Sequence, residues 1–528
     1  MGFLKLKMNL QKSNKIGIID IFAGPGGLSE GFASFSCRTS KTRYKILLSI
    51  EKEPISHKTL ELRSFYRQFD TKKVPIEYYM YLRNEINRNE LFNKFIKEAG
   101  NAENEAWLAE LGSTLHTHEL VDKRIINSLN GLKDWVLIGG PPCQAYSLVG
   151  RARMKNDKSF KNDPRHYLYK EYLRILAKHA PPVFVMENVK GLLSSKGANN
   201  ERIFDRIIND LSNPLKAVIN VKKRYEQKPL KYNIYSFVKA DISNNLLMPS
   251  DYVVKCENYG VPQARHRVIL LGIRSDINVL PDILKKVRGI NMWYVISDLP
   301  EIRSECSKRN HKGTTWQNSI REIVDCRWLN NLKGDYDLYH EIKKFAQGTS
   351  GPLTTGAEFT EGNYKCKYKP AWFHDKRVRG VCSHSARSHM KTDLHRYIFT
   401  TCYAKLNDKS PRIRDFPKSL LPNHKNVANA IEDKIFSDRF KVQIKNKPSS
   451  TITSHIAKDG HYYIHPDPKQ CRSLTVREAA RLQTFPDNYL FEGPRTEQYK
   501  QVGNAVPPLL ANQIARIVHK IIQDNNLI

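Results

Sequence analysis

The chain has 528 residues, and its 86 Lys and Arg against 53 Asp and Glu give a formal net charge of +33, an excess typical of proteins that bind phosphate groups. Hydrophobic residues make up 40% of the sequence, which excludes a disordered chain and allows a core for two or three domains. No apolar run reaches about 18 residues, no signal-peptide core follows the basic N-terminus, and nine cysteines lack a regular spacing, so we expect a cytoplasmic protein without disulfides or membrane contact.

The first predicted unit is a strand, a glycine-rich turn and a helix. The apolar run Ile16–Ile21 is followed by Phe22–Phe32, whose glycines allow a ligand to approach the backbone closely. A second apolar run, Ile46–Ile50, ends at Glu51. In a nucleotide-binding βαβ unit this position holds the acid that binds the ribose hydroxyls. The sequence therefore predicts a site for a nucleoside.

The glycine spacing and an aromatic residue narrow the class of nucleoside. Gly24–Gly27 lacks the first-to-last glycine spacing of the dinucleotide pattern, and Phe22 stands at the strand end, which argues against NAD. Phe22 is placed to lie against an adenine or near a sulfonium, where a cation–π contact is available. Simple packing of the helix on the strand is the alternative.

A charged segment separates these strands from the next motif. Residues 72–132 form a predicted helical insertion, in which Glu77–Glu98 and Glu103–Leu111 have helical patterns. The apolar run Trp135–Ile138 then leads into Gly139–Ser147, with the sequence Gly-Gly-Pro-Pro-Cys-Gln-Ala-Tyr-Ser. Two prolines hold Cys143 in one orientation at the end of the strand, which favours a nucleophile over the usual buried core thiol.

Two further strands carry ionisable residues. Met186–Val189 follows an apolar run, and Glu187 is predicted to be functional, with the capping of a following turn as the alternative. Gln263–Arg267 precedes another apolar run, and the alternation of Arg265 and Arg267 places both on one face of a strand. An exposed basic edge is the alternative interpretation of these arginines. Two more motifs, Arg477–Pro486 and Gln501–Pro508, lie near the end of the chain.

Taken in this order, the six motifs from Asp20 to Pro508 resemble those of the C5-cytosine DNA methyltransferases. The resemblance implies an α/β fold with a Rossmann-like, doubly wound, mostly parallel sheet, and S-adenosyl-L-methionine as the cofactor. The cofactor contacts that it implies are Phe22, Ala23, Gly24, Pro25, Gly26, Gly27, Glu51, Pro142, Asn504 and Val506.

The resemblance also implies a set of catalytic roles. Cys143 would add to C6 of cytosine, Glu187 would hydrogen-bond N3 and the exocyclic amine, and Arg267 would hold O2. Arg265 and Gln263 would support the strand and the adjoining phosphate. Attack at C6 is needed because C5 of cytosine is a poor nucleophile, and Glu187 must be or become protonated to stabilise the resulting ring. Since no side chain reaches these atoms within a duplex, the base must rotate out.

The resemblance implies a discontinuous catalytic domain, formed by residues 1–275 and 471–528, with a target recognition domain inserted at residues 276–470. Base or phosphate contacts are expected from Cys382–His389, Asp438–Gln443 and Ser449–His455. The acidic residue that contacts the adenine amine in this family is not evident, and Asp122 is the candidate. The apolar pattern after Pro507 and Pro508 predicts a final helix that returns to the first domain.

Four residues are of zinc-ligand types, but no CxxC pair is present and we predict no metal. These four are Cys366, Cys382, His384 and His389.

Double-stranded DNA is the partner that the resemblance implies, for a monomeric enzyme of a bacterial or phage restriction-modification system with an endonuclease as its functional partner. Two alternatives stay open: a tRNA cytosine-5 methyltransferase, since relatives with the same Pro-Pro-Cys loop act on tRNA, and a catalytically silent DNA-binding relative. The large basic segment 275–470 favours duplex DNA. The intact Cys143, Glu187 and Arg267 favour an enzyme.

Overall fold

The computed structural model describes residues 15–36, 43–141, 165–195, 202–218, 230–240, 247–307, 315–348, 350–423, 427, 431–432 and 437–524. The strands are β1 Lys15–Ile21, β2 Arg43–Glu51, β3 Ala106–Leu108, β4 Trp135–Gly139, β5 Val183–Val189, β6 Tyr232–Ser236, β7 Val253–Lys255, β8 Gln263–Ala264, β9 His266–Arg274, β10 Glu305–Cys306, β11 Gly356–Glu361, β12 Gly380–Ser385, β13 Ser388–His389 and β14 Ser449–Ser450.

The helices are α1 Gly27–Ala33, α2 Pro54–Arg67, α3 Ile76–Leu82, α4 Arg88–Lys94, α5 Ile96–Glu105, α6 His118–Leu129, α7 Arg165–His179, α8 Ile203–Ser212, α9 Pro214–Ala217, α10 Trp293–Ile296, α11 Trp316–Arg321, α12 Arg327–Asn330, α13 Tyr336–Gly348, α14 Pro370–Phe373, α15 Lys391–Asn407, α16 Val476–Leu482, α17 Arg495–Asn504 and α18 Pro508–Asp524. Within the described part of the chain, none of these helices is both long and apolar enough to cross a membrane.

The central sheet has the order β3-β2-β1-β4-β5-β9-β6, with β7 paired to β9. Strands β1 to β5 are parallel to one another, whereas β9 runs antiparallel to β5, β6 and β7. The chain winds outward from β1 to β3 and then returns to the other side of β1 at β4. Such a switch point opens a crevice at the carboxyl ends of β1 and β4, where ligands bind in α/β sheets. The expected α/β class with a mostly parallel sheet is confirmed.

Helices cover both faces of this sheet because its buried strands are apolar on both sides. Along β4, Val136 and Ile138 pack into one hydrophobic cluster, with residues of α1 and α18, while Trp135 and Leu137 pack into another, with residues of α6 to α8. The doubly wound arrangement follows from this alternation.

The last helix completes the first of these two clusters. Ile514, Ile517 and Ile521 of α18 pack with Ile16 and Ile18 of β1, and the helical pattern predicted after Pro507 is confirmed. A Cβ at Gly31 of α1 would lie 2.3 Å from the Ala511 side chain, so the two helices are in close contact. The end of the chain therefore returns to the first strands.

The charged segment before β4 differs from its predicted form at one point. Helices α3, α4 and α5 occur as expected, but the helix predicted over Glu103–Leu111 ends at Glu105, and Ala106–Leu108 forms the edge strand β3. The backbone of Ser49–Glu51 pairs with these three residues in parallel. Pairing with a neighbouring strand thus overrides the helical preference of an Ala- and Glu-rich stretch.

Two more hydrophobic clusters lie in the second half of the chain. One is formed only by residues between Trp316 and Cys471 and includes α11, α13 and α15. The other joins Met292–Leu299 to α16 and α17, together with Ile452 and Tyr463. The second cluster therefore contains residues from both sides of position 470, where the predicted recognition segment ends.

Candidate active site

The parallel pairing of four strands stops at the same level of the sheet. The register aligns Ile50 of β2 with Ile21 of β1, Ile21 with Gly139 of β4, and Gly139 with Met186 of β5. The residues that come next are Glu51, Phe22, Gly140 and Glu187. The glycine turn, its acidic partner, the start of the cysteine loop and the Met-Glu-Asn-Val motif thus begin side by side. Cys143 and Pro142 lie outside the described residues.

The glycine turn after β1 is held open by its backbone conformation. Phe22, Gly24 and Gly26 have φ values of +57°, +58° and +87°, which glycine adopts freely but which strain a phenylalanine. A Cβ at Gly24 would meet no atom of the described residues within 4 Å, which leaves that side of the turn open to a ligand. At Gly27 a Cβ would lie 2.2 Å from the carbonyl oxygen of Val506, so only glycine fits against the C-terminal segment there.

Glu51 is tied to this turn by hydrogen bonds to its carboxylate. The backbone N–H of Gly24 donates to Oε2 at 2.7 Å, and those of Lys52 and Glu53 donate to Oε1 at 2.9 and 2.8 Å. Burial raises the pKa of Glu51, and the three backbone donors oppose that rise. The carboxylate is therefore fixed beside the turn at the position predicted for a ribose contact.

The C-terminal segment lies against the same turn. Val506 contacts Gly27, and the hydroxyl of Tyr489 donates a hydrogen bond to the carbonyl oxygen of Pro25. Asn504 ends α17 and is exposed. The structure thus places Val506 against the turn and the exposed Asn504 two residues before it.

Glu187 and Arg267 meet at the ends of β5 and β9. The guanidinium Nε of Arg267 lies 2.8 Å from Oε1 of Glu187, and the two side chains are 13% and 14% exposed. Arg267 also donates from Nη1 to the carbonyl oxygen of His266 at 2.9 Å. A Cβ at Gly140 would lie 3.0 Å from Oε2 of Glu187, so the cysteine loop starts directly beside this carboxylate.

Arg265 and Gln263 are buried behind this pair. The guanidinium of Arg265 donates to the carbonyl oxygens of Ile452 and Gly503 at 2.7 and 3.2 Å, and burial, with the nearby charge of Arg267, lowers its pKa to about 9. Arg265 is 1% exposed. Gln263 is fully buried and accepts a hydrogen bond from the Ile452 N–H at 2.8 Å. Both side chains hold protein segments together.

The strand through these residues is broken, which the alternation of arginines did not predict. Gln263 and Ala264 pair with Ser449 and Ser450 in β8 and β14, whereas β9 starts at His266. Between the two strands, the Arg265 N–H donates to the Gln263 carbonyl at 2.9 Å, which kinks the chain. The prediction of one strand that contains both Arg265 and Arg267 is wrong, because the chain changes its pairing partner at Arg265.

The sequence did not reveal the acidic residue at the end of β3. Glu110 lies just beyond this strand, and its carboxylate is 3.3 Å from Lys52 Nζ, next to Glu51. Asp122, the candidate from sequence, lies on α6 and pairs with Arg174 at 2.7 Å and His179 at 2.9 Å. Glu110 is recognised as an acidic residue at a strand end only once β3 is seen to pair with β2, and the residue pattern does not predict that pairing.

Of the three segments expected to contact DNA, two make buried contacts within the protein and one carries an exposed ion pair. Ser449–His455 begins with β14 and supports Gln263 and Arg265 from inside the protein. In Cys382–His389, the buried His384 ring hydrogen-bonds Thr475 and the carbonyl oxygen of Pro300, each at 2.9 Å. Asp438–Gln443 includes the exposed ion pair of Asp438 with Lys441 at 3.3 Å.

The four zinc-type residues have separate partners in the structure. The Cys366 thiol contacts the Val295 carbonyl, and the Cys382 thiol contacts the Leu82 carbonyl. His389 packs against Tyr397, while His384 has the two hydrogen bonds given above. Across the described ranges, no group of three or more His, Cys, Asp or Glu residues is suited to hold a metal ion.

Comparison with known proteins gives matches over most of the chain. The sequence profile of a family described as C-5 cytosine-specific DNA methylase matches residues 91–214 and 249–520. The type II methyltransferase M.Bpa9945I of Bacillus paralicheniformis is 32% identical over 526 residues, covering 96% of this chain and 100% of that protein. M.DdeI of Desulfomicrobium norvegicum is 24% identical over 97% of this chain and 91% of its own. A solved putative DNA modification methyltransferase of an E. coli prophage has 17% identity, a TM-score of 0.45, and coverage of 96% of this chain and 99% of its own.

Proposed function

The chain belongs to the C-5 cytosine-specific DNA methylases and is a DNA (cytosine-5-)-methyltransferase of the type II restriction-modification kind, and we propose that it acts on a cytosine rotated out of double-stranded DNA through a bond between Cys143 and C6. The observation that carries this proposal is the register of β2, β1, β4 and β5. It aligns the positions at which Glu51, the glycine turn, the cysteine loop and the motif of Glu187 begin. The glycine turn and the described start of the cysteine loop, Gly139–Pro141, then lie at the same crevice.

The chemistry of the target ring sets the roles of the protein groups. The Cys143 thiolate attacks C6, and the electron pair of the C5–C6 double bond becomes available at C5. The electron pair at C5 would displace the methyl group from the sulfonium of the cofactor, with S-adenosylhomocysteine as the leaving group. A base would then remove the C5 proton, and the C5–H electron pair would restore the double bond as the Sγ–C6 bond breaks and the thiolate leaves. Rotation of the base out of the duplex is required because a stacked cytosine hides C6 from a side chain.

The Glu187–Arg267 pair is suited to bind the cytosine during these steps. The base presents N3 and an exocyclic amine to a carboxyl group, and O2 to a guanidinium. A protonated Glu187 donates to N3 and stabilises the ring after the thiolate adds, while Arg267 donates to O2. Their 2.8 Å contact puts both groups at one place beside Gly140, three residues before Cys143.

The turn after β1 fits an adenosyl cofactor. Glu51 is fixed for the ribose, the open side at Gly24 admits the ligand, and Val506 closes the turn at Gly27. S-adenosyl-L-methionine, when bound here, supplies the electrophilic methyl group. We assign the adenine amine to Glu110 in place of Asp122, because Glu110 follows the strand beside β2. Asn504 contributes a side chain from the end of α17.

We further propose the division of the chain into a catalytic domain, residues 1–275 with 471–528, and a recognition domain of residues 276–470. The return of α18 to β1 and the separate cluster between Trp316 and Cys471 support it. The cluster that joins Met292–Leu299 to α16 and α17 would then form the junction of the two domains. The proposal includes a monomeric enzyme with a restriction endonuclease as functional partner.

Trapping on a modified duplex tests the role of Cys143. A duplex with 5-fluorocytosine at the target position keeps fluorine where a proton must leave, so the wild-type chain is expected to form a stable covalent complex in the presence of the cofactor. Cys143→Ser is expected to form none, to lose methyl transfer and to keep DNA binding. Cys306→Ser, which changes a partly exposed thiol next to Ser319, is the control and should behave as wild type.

The same preparations separate the alternatives. Bisulfite sequencing of plasmid from cells that express the chain gives the recognised sequence and tests methylation of duplex DNA. Methyl transfer to tRNA but not to duplex DNA would replace the substrate in this proposal. Absence of a covalent complex with the wild-type chain would instead favour a silent DNA-binding relative.

A further inference from the structure

One buried amide, that of Gln483, joins the two halves of the candidate site. Gln483 follows α16 and is fully buried. Its Oε1 accepts a hydrogen bond from Nε2 of Gln263 at 3.0 Å, and its own Nε2 donates to the carbonyl oxygens of Val502 and Ala505 at 2.7 and 3.2 Å. The segment that leads to Arg267 and the segment that leads to Val506 are therefore held by a single side chain.

A second connection runs parallel to this amide. Arg265 donates to Ile452 and to Gly503, and Gln263 accepts from the Ile452 N–H. A Cβ at Gly503 would lie only 2.2 Å from the backbone carbon of Thr453. The segment 502–505 is thus in close contact with 452–453, hydrogen bonds join 263–265 to both, and the amide of Gln483 connects the first segment to the third.

The two ends of this network lie at the two ligand positions. Arg267, two residues beyond Arg265, pairs with Glu187 at the base side. Val506, one residue beyond Ala505, lies against Gly27 in the cofactor turn. A displacement of either segment is transmitted to the other through hydrogen bonds that are all buried, where an unmade bond is unfavourable.

We propose that Gln483 is a positioning residue that couples the base site to the cofactor site, so that DNA binding tightens cofactor binding and the reverse; this inference rests on the proposed function of the two sites. Thermodynamic linkage requires the two effects to be equal in size. Gln483 touches neither ligand in this scheme and acts only through Gln263 and the carbonyl groups of α17 and its C-terminal end.

The test measures a ratio of affinities. S-adenosylhomocysteine is titrated into the full chain with and without a duplex that contains the recognised sequence, and the ratio of the two dissociation constants is the coupling factor. Gln483→Met keeps the length of the side chain and removes both hydrogen-bonding groups. We expect it to lower the coupling factor at least about 5-fold, the lower end of the range typical for linked sites, with a smaller change in binding of either ligand alone.

Gln498→Met is the matched control. Gln498 lies on α17 and is 7% exposed, but among the described residues its amide bonds only the nearby Gly493 carbonyl, at 3.0 Å. The Gln498→Met variant should keep the wild-type coupling factor even if its melting temperature falls, because a loss of stability alone does not change the ratio of the two dissociation constants. If Gln483→Met does not fold, Gln483→Glu retains the shape and the acceptor to Gln263 but, when ionised, lacks the donor to Val502 and Ala505, and is expected to lower the factor as well.

The results of these measurements distinguish a failure of the coupling proposal from a failure of the proposed function. An unchanged coupling factor in the folded Gln483 variants overturns the inference. A wild-type factor near one, in a preparation that methylates duplex cytosine, also overturns it and leaves the proposed function standing. Absence of methyl transfer to duplex DNA by the wild type removes the proposed function, and the inference with it.

Discussion

Arg472→Met removes one partner of the most deeply buried ion pair in the described part of the chain. Arg472 and Glu478 have side chains that are 0% and 2% exposed, and two N–H groups of the guanidinium donate to the two carboxylate oxygens at 2.7 Å each. Arg472 also donates to Gln470 Oε1 and to the carbonyl oxygens of Ile302 and Ser473. After the substitution, Glu478 keeps the Thr475 N–H at 2.7 Å and the His465 ring at 3.5 Å.

Breaking such a pair from one side costs about 3–5 kcal/mol, since a carboxylate is left without a counter-charge in the protein interior. Urea unfolding at neutral pH, followed by tryptophan fluorescence, measures this loss. Lys500→Met breaks an exposed pair with Glu497, whose side chains are 49% and 31% exposed, and should lose at most ~1 kcal/mol. Adding Glu478→Gln to Arg472→Met should restore part of the stability, because the unpaired charge is then absent.

The pH dependence gives a second measure of the same effect. Burial by itself raises the pKa of Glu478, but Arg472 holds it well below its ordinary value in the wild type. That stabilisation is present above the ordinary pKa of a glutamate and is lost only as the pH falls through the lowered value. In Arg472→Met the strongest influence that lowers the pKa of Glu478 is gone, so burial outweighs the remaining contacts with Thr475 and His465 and the pKa rises. Protonation then relieves the unpaired charge, and the stability difference between Arg472→Met and wild type should shrink from pH 7.5 to pH 5. Burial and the charge of Arg472 also lower the pKa of His465, so this ring protonates more easily without Arg472 and changes the stability difference in the same direction.

Two results would refute this reasoning. One is a loss of stability in Arg472→Met at neutral pH no larger than that in Lys500→Met. The other is a deficit that grows on acidification.

The remaining predictions concern the first strand, its turn and the insertion. Gly27→Ala is expected to lower the unfolding free energy by about 1–3 kcal/mol and to weaken cofactor binding, since its Cβ would lie 2.2 Å from the Val506 carbonyl. Gly100→Ala in α5, whose Cβ would meet no atom of the described residues within 4 Å, should raise the unfolding free energy by about 0.5–1 kcal/mol. Equal effects in urea titrations would contradict this contrast. Burial raises the pKa of Asp20 to about 7, so the folded chain keeps a proton that the unfolded chain releases near pH 4, and stability falls as the pH rises between these values. Asp20→Asn removes this pH dependence. The melting temperature of Asp20→Asn minus that of wild type should therefore be larger at pH 8 than at pH 5, and the same difference at both pH values would contradict a raised pKa for Asp20.

The strand ends of the site were predictable because apolar runs with an abrupt polar end locate the carboxyl edge of a parallel sheet. Glu51 and Glu187 each follow such a run, and the register places both at that edge, as expected. The turn at Gly24–Gly27 was predictable for a similar reason, since its positive φ angles require glycine. Their roles in binding and catalysis stay predictions.

The supporting contacts were not predictable, because they join residues that are far apart in the chain. The hydrogen bond between Gln263 and Gln483 spans 220 positions, and nothing in either local sequence indicates the other partner. The same holds for β3, whose three residues form a strand only because β2 lies beside them. Periodicity reports which side of an element is buried, and it carries no information about which distant element covers it.

The packing of α18 on β1 has a consequence for the order of events during synthesis. The hydroxyl of Tyr44 donates to the carbonyl oxygen of Ala515, which is made 471 residues later, so the first strands emerge from the ribosome well before the helix that covers them. At about 5–20 residues per second, this wait lasts roughly half a minute to a minute and a half. During that time the apolar side of β1 that includes Ile16 and Ile18 lacks its final cover, and nascent chains should be prone to capture by chaperones until the last helix is released.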